Sequence, residues 1–261
     1  MIANASQHFF KHYYLPMARP LQRLYIDQDL AIGALISFNK EQTHYIRDVI
    51  RLSDGASIIV FNGRDGEWRI DELDVNKNTV QGIAIKKLQE QPPFSGPDIY
   101  FAPIKKTGTD FIVIKATELG VRAICPVRTE LTNTGRINSE RMKSNAREAA
   151  EQSGRIDIPD ILSPKILSEL LKVWPQDRHL IVANETSTGN TPLNAFSYLK
   201  TKNCPPAFLI GPEGGFSRSE LVLLDSLPFV INVSLGPRIL RAETAALGIL
   251  SCWQAFHGDW A

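Results

Sequence analysis

At 261 residues the chain has room for one large domain or two ordinary ones. Hydrophobic residues make up 43%, charged residues 22%, and the net charge is +1, so bulk charge does not call for a nucleic-acid partner and any basic surface must come from local clustering. The three cysteines, Cys125, Cys204 and Cys252, are far apart with no zinc-ligand spacing, which points to a reduced, cytoplasmic setting without a metal, and no apolar stretch approaches a membrane span.

Residues 1–16 read as an extension, with Met17 as a candidate start, because strand-like pattern begins just after it. Residues 17–90 read as a first domain of short strands. Leu21 to Ile26 opens it, and a helix is expected over 41–52, where Tyr45, Ile46, Val49, Ile50 and Leu52 supply an apolar stripe. Ala56 to Phe61, Glu67 to Leu73 and Thr79 to Lys86 follow as strands, with hairpin turns at 62–66 and 76–78. Short strands with regular turn signals suggest a small β-barrel. Residues 91–97 hold three prolines and form the linker.

Residues 98–261 form the second domain, where strands alternate with helices. Strands are expected at Ile99 to Ala102, Ala123 to Val127, His179 to Ala183, Ala207 to Ile210 and Phe229 to Leu235. Helices are expected at Thr109 to Leu119, Ser139 to Gln152, Ile166 to Val173, Leu193 to Lys200, Ser217 to Leu227 and Ala242 to Phe256. Gly120 and Gly154 suit helix ends, and Ser217 with Glu220 suits a capping box. Such alternation calls for a mainly parallel sheet covered by helices on both faces.

No Gly-x-Gly occurs anywhere, which argues against an ordinary dinucleotide or methyl-donor loop, and neither a phosphate loop nor a nucleophile elbow is present. Two other loops stand out instead. Each ends a strand in Gly-Pro and precedes a helix: Gly211-Pro212-Glu213-Gly214-Gly215 and Gly236-Pro237-Arg238-Ile239-Leu240-Arg241. The glycines let a ligand approach the backbone, and the prolines stiffen the turns. Glu213 is an anion among the glycines. Ile239 and Leu240 are apolar where a solvent loop would be polar, so burial against a flat partner is expected. Glu243 suits the first turn of the last helix, whereas Arg241 does not gain from that dipole and should answer to another charge. Either loop alone is equally well explained as a strand-to-helix turn in a stable core. The pair, with three charged groups at the turns, favours a ligand site.

These residues closely resemble the RsmE family of bacterial 16S ribosomal RNA methyltransferases, members of the SPOUT superfamily. The resemblance lies in Leu209 to Gly215 and Leu235 to Ala245, nearly residue for residue. Lys105 and Lys106, the segment Thr117 to Val121 and the segment Glu151 to Arg155 also fit, and His44, Arg47, Arg51 and the Phe61-Asn62-Gly63 turn are similar to the family's PUA-like domain. It covers about Leu21 to Phe256.

The resemblance implies an N-terminal PUA-like, RNA-binding β-barrel and a C-terminal SPOUT-type α/β domain with a deep trefoil knot, which general chain rules would not suggest. It implies S-adenosyl-L-methionine as donor, N3-methyluridine in 16S ribosomal RNA of the 30S subunit as product, and a homodimer. The implied donor site comprises Leu209, Ile210, Gly211, Pro212, Glu213, Gly214, Leu235, Gly236, Ile239, Leu240 and Thr244. Arg241 is the expected cation for the uracil anion, with Glu213 and Glu243 as base or orienting groups. RNA contacts are expected from Arg19, Arg23, Arg47, Arg51 and Lys105, with Arg47 and Arg51 projecting from one helix face. The alternatives are a ribose 2′-O-methyltransferase of the same superfamily and a non-catalytic ribosomal RNA-binding factor.

Overall fold

The computed structural model describes residues 21–93, 95–133, 137–184, 190–199 and 205–261, so Arg19, the extension at 1–16 and Met17 lie outside the described residues. A first sheet contains β1 (Arg23–Tyr25), β2 (Leu35–Ser37), β3 (Ile58–Phe61), β4 (Glu67–Val75) and β5 (Val80–Gln89), ordered β1-β3-β4-β5-β2. It curls into a half-barrel over Leu24, Ile26, Ile36, Ile46, Ile58, Val60, Ile70 and Val80, all buried. Only β1 and β3 run parallel; the other pairings are antiparallel. At the β3–β4 turn, Gly66 has φ +86°, and a Cβ there would lie 2.2 Å from the Gln89 carbonyl oxygen, so this turn requires glycine.

The expected helix over 41–52 is shorter and irregular. α1 (Lys40–His44) opens with a capping box between Asn39 and Gln42, widens into a π-helical turn at Tyr45–Val49, and stops. Arg51 then takes φ +56°. It is therefore outside the helix, and the expectation that it shares a helix face with Arg47 fails for that reason.

The second sheet is parallel throughout. Its strands are β6 (Asp98–Phe101), β7 (Ala123–Arg128), β8 (Asp160–Ile161), β9 (Lys165–Ile166), β10 (Leu180–Ala183), β11 (Ala207–Ile210) and β12 (Val230–Val233). The order is β12-β10-β11-β6-β7-β8, and β9 pairs with the far end of β7. Alternate strand residues face opposite layers. Ile99, Ile124, Ile181 and Phe208 pack against α2 (Lys106–Glu118), α3 (Ser139–Ser153), α5 (Pro192–Leu199) and α7 (Ala242–His257). Tyr100, Cys125, Val182 and Leu209 pack against α4 (Leu167–Lys172) and α6 (Arg218–Asp225). β2, β8 and β9 were not expected; each has only two or three residues, too few for a periodic signal. Among the described residues, no helix is long and apolar enough to cross a membrane.

The amino end of this sheet is tied by Asp98, which is 1% exposed and whose Oδ2 accepts from Arg122 Nη2 and Arg178 Nη1, each at 2.6 Å. That leaves the carboxyl ends of β10, β11 and β12 side by side at the opposite edge.

Candidate functional site

Strand register builds the site. Ala183 of β10 lies beside both Ile210 of β11 and Val233 of β12, so the chain leaves all three strands at one level. Parallel sheets commonly place ligands at this edge. Gly211 follows Ile210 directly, and its missing side chain lets the Phe216 ring close over it: a Cβ there would lie 3.1 Å from Phe216 Cε2. The Gly215 N–H donates to the Pro212 carbonyl at 2.9 Å, closing a turn with Glu213 and Gly214 at its exposed corner. Ser217 then caps α6: its Oγ accepts from the Glu220 N–H at 3.1 Å, and Glu220 Oε2 accepts from the Ser217 N–H at 2.9 Å. Buried Glu220 also accepts from the Glu130 N–H at 2.8 Å, which ties the loop after β7 to the glycine loop.

The second loop leaves β12 through Ser234, whose Oγ accepts weakly from the Gly236 N–H at 3.4 Å. Gly236 has φ +109°, a conformation that L side chains avoid. Arg241 caps α7 without a side-chain hydrogen bond, and Glu243 sits in the first turn. The Glu243 carboxylate also faces α2, with Oε2 at 3.7 Å from where a Gly108 Cβ would stand. Lys105 is the N-cap residue of α2, so this exposed lysine and Glu243 belong to one corner of the fold.

Between the loops lies a solvent-open cleft of about 750 Å³ empty volume. Eight expected donor-site residues line it: Ile210, Gly211, Pro212, Glu213, Gly214, Leu235, Gly236 and Leu240. Three others do not. Leu209 points into the core beneath α4 and α6, because strand alternation turns it away from its neighbour Ile210. Thr244 is exposed beyond the start of α7. Ile239 is 83% exposed, so the expected burial of this residue does not occur within one chain. The cleft also takes lining from Ala183, Asn184, Phe216, Arg238 and Ala245, which were not singled out. Asn184 had a signal, since it directly follows an apolar strand. Its side-chain amide reaches Asn232 Oδ1 at 3.4 Å. Arg238 stands in the second loop itself.

Charge is concentrated at the rim. Among the described residues, no ion pair involves Glu213, Arg238 or Arg241. Glu213 and Arg238 line the cleft, so one carboxylate and one cation without internal partners are available to a ligand there, whereas Arg241 is exposed at the start of α7 and is not part of the lining. The remaining basic residues divide differently. Arg47 is half-buried, paired with Asp48 and donating to the Lys77 carbonyl. Its guanidinium and His44 hold the Asp48 carboxyl down at about 2. Arg51 is exposed. Arg23, expected on an RNA-facing surface, is instead mostly buried between the half-barrel and α3, where its guanidinium is consumed by internal acceptors. No group of three metal-ligating side chains occurs among the described residues.

Comparison with known proteins places this geometry. An RNA methyltransferase domain family matches residues 93–254, and an RNA methyltransferase PUA domain family matches residues 38–84. A ribosomal RNA small subunit methyltransferase E from Rickettsia conorii is 33% identical over 227 residues, covering 86% of this chain and 91% of that protein. The protein of the same name from Buchnera aphidicola subsp. Schizaphis graminum is 32% identical over 257 residues, covering 93% and 99%. A putative methyltransferase from Legionella pneumophila, solved with bound S-adenosylmethionine, superposes with a TM-score of 0.76 at 29% identity, covering 90% of this chain and 97% of that one.

Proposed function

The chain belongs to the ribosomal RNA small subunit methyltransferase E family, and from that premise we propose that it methylates N3 of a uridine in 16S ribosomal RNA, using S-adenosylmethionine. The observation that carries this reading is the cleft between the two Gly-Pro loops, formed by the residues that the resemblance assigns to the donor. Its chemistry fits that molecule. Main-chain groups of Ile210, Gly211, Gly214, Leu235 and Leu240 offer donors and acceptors to the adenine and ribose edges. Pro212, Leu240, Ala242 and Ala245 supply apolar walls for a flat ring, and Glu213 supplies an acceptor for hydroxyls or a cationic group.

S-adenosylmethionine supplies a methyl group already activated on a sulfonium. The chain therefore acts by positioning and electrostatics. Uracil N3 carries a proton and is a poor nucleophile until that proton leaves, so a group must accept it or stabilise the anion. Arg241, exposed between the cleft-lining residues Leu240 and Ala242 and without an ion pair among the described residues, is assigned to the developing anion or an adjoining phosphate. Glu213 and Glu243 are the two carboxylates for base or orienting roles. Glu213 stands on the cleft wall, whereas Glu243 faces the start of α2 and orients that corner. Arg47, Arg51 and Lys105 supply RNA phosphate contacts.

The same reading divides the chain into a PUA-like domain at 17–90, a linker at 91–97 and a knotted SPOUT domain at 98–261. Separate hydrophobic cores in the half-barrel and around the parallel sheet support that division. It also makes the protein a cytoplasmic homodimer, with exposed Ile239 as a candidate interface residue beside the cleft. Light scattering would give the oligomeric state. The decisive experiment digests 16S RNA from a deletion strain and its complemented parent to nucleosides for mass spectrometry. Loss and return of N3-methyluridine is expected. A changed ribose 2′-O-methyl nucleoside would overturn the base assignment, and no change would overturn the catalytic one.

A further inference from the structure

We propose that Arg23, Glu151 and Arg155 form a clamp that fixes the half-barrel at one angle on the catalytic domain, making Arg23 and Glu151 positioning residues for RNA methylation. The inference rests on the RNA methyltransferase reading above. Arg23 projects from β1, yet its guanidinium is spent on the far side of the domain junction. Nη1 donates to the carbonyls of Ala150 at 3.0 Å and Glu151 at 3.1 Å, and Nη2 donates to that of Arg155 at 3.0 Å. Nε donates to Glu67 Oε1 at 2.7 Å, so the barrel's own carboxylate balances the charge. The two side chains are only 14% and 13% exposed. In the opposite direction, Glu151 reaches from α3 to the barrel, and its Oε1 accepts from the Tyr25 N–H at 2.9 Å. Burial pushes the Glu151 carboxyl up from its ordinary value, as expected for an acid committed to an interior contact.

The surroundings leave little play. Arg23 lies over the Phe61 ring at 4.8 Å, Arg147 lies over the Tyr25 ring at 5.2 Å, and Phe61 packs with Ala150 and Ile156. Arg155 anchors the receiving end, donating to the carbonyls of Thr117 at 2.9 Å and Val121 at 2.8 Å while paired with Asp157. The clamp thus grips the C-terminal end of α3 and, through Arg155, the C-terminal end of α2. At about 1.5 Å per residue, α3 is roughly 22 Å long, which gives the scale of the catalytic domain beyond the clamp. A tilt of about 10° at the clamp would shift an RNA held by the barrel by roughly 4 Å over that length, when misplacement by about 1 Å can cost about 10²-fold in rate.

The test uses full-length Arg23→Lys and Glu151→Gln. Donor affinity is read by calorimetry, RNA methylation on small ribosomal subunits, the salt dependence of RNA binding, and barrel-to-catalytic-domain distance by paired spin labels. Donor affinity should stay within about twofold, while kcat on RNA falls at least about tenfold in both variants, with a broadened distance distribution. The log–log salt slope is read on a third variant, Arg23→Gln, which removes the charge; it should not change, whereas loss of a phosphate contact would lower it by about one. A reduced slope for Arg23→Gln with parental behaviour of Glu151→Gln would make Arg23 an RNA contact and overturn the clamp. Parental kcat and distances in both would overturn it too. If either variant loses donor binding, Arg147→Gln carries the same measurements, with a smaller loss of kcat and a broadened distance expected, and parental values refuting. The spin-label result is independent of activity, so a failure of the methyltransferase reading, seen as an inactive parent, remains distinguishable.

Discussion

Gly211→Ala isolates what the first glycine loop contributes. An added Cβ would meet Phe216 at 3.1, 3.2 and 3.4 Å, all ring carbons, with no backbone atom among its three nearest neighbours. The ring can therefore give way by a few tenths of an ångström, and the fold should survive. Phe216 lines the cleft, however, so the displacement is passed to the space a ligand needs. Overpacking by one methyl group typically costs about 1–3 kcal/mol. If that strain is borne in the bound state, donor affinity falls about 5- to 150-fold, at about 1.4 kcal/mol per tenfold. Calorimetric titration with S-adenosylmethionine measures this directly. Gly248→Ala is the control, since a Cβ there meets nothing within 4 Å and the site lies inside α7. It should bind donor normally and gain up to about 1 kcal/mol of stability. A folded Gly211→Ala protein binding donor within twofold of the parent would refute the idea that this loop's close packing shapes the donor site.

Arg241→Ala should keep donor binding and thermal stability while losing on the order of 10²–10³ in kcat, the usual cost of removing one charge-stabilising donor; full methylation of 16S RNA would remove Arg241 from the chemistry. Asp98→Asn leaves Arg122 and Arg178 without their buried anion, so chemical denaturation should show a loss of about 3–5 kcal/mol, and a loss below about 1 kcal/mol would refute the anchoring role. Asp110 has its carboxyl lowered from 3.8, chiefly by the hydrogen bond from Arg141. A depressed carboxylate contributes stability above its unfolded pKa and loses it as pH falls through the folded value. The Tm gap between the parent and Asp110→Asn should therefore be widest near neutrality and close below pH 3.8, and a gap that widens on acidification would contradict this. Cys125, whose thiol burial pushes up to about 12, should resist alkylation in the native protein at pH 8 and react only after unfolding.

The alternating half of the chain was largely legible because its signals are local and repeated. Ser217 and Glu220 cap α6 as their spacing implied, Gly154 ends α3 with φ +83°, and the last helix begins at Ala242. The half-barrel was less legible. The stripe of Tyr45, Ile46 and Val49 does mark a helical segment, but periodicity carries no information on the extra residue per turn that makes it π-helical or on its end before Arg51. At the site, the loop glycines were recognisable because they combine special backbone freedom with charged neighbours. Leu209 was not separable from Ile210, since only the sheet decides which of two adjacent apolar residues faces the cleft.

Arg23 shows where a one-dimensional reading of basic residues breaks down. A surface arginine and a domain-bridging arginine have the same local sequence requirement, an exposed stem at the edge of a strand. What separates them is the supply of acceptors, and the three carbonyls that accept from Arg23 belong to residues 127 to 132 positions away. The carbonyls of Ala150 and Glu151 are among the last four of α3, which have no partner inside the helix and must find donors elsewhere. An arginine offers several donors in a fixed fork, so one side chain can satisfy both of these and the Arg155 carbonyl beyond them. The need created at a helix end is thus met from the half-barrel, and on the clamp proposal meeting it fixes the angle between the two halves. A lysine could balance Glu67, but its single ammonium cannot span that spread of acceptors. Arg23→Lys is accordingly a test of geometry at constant charge.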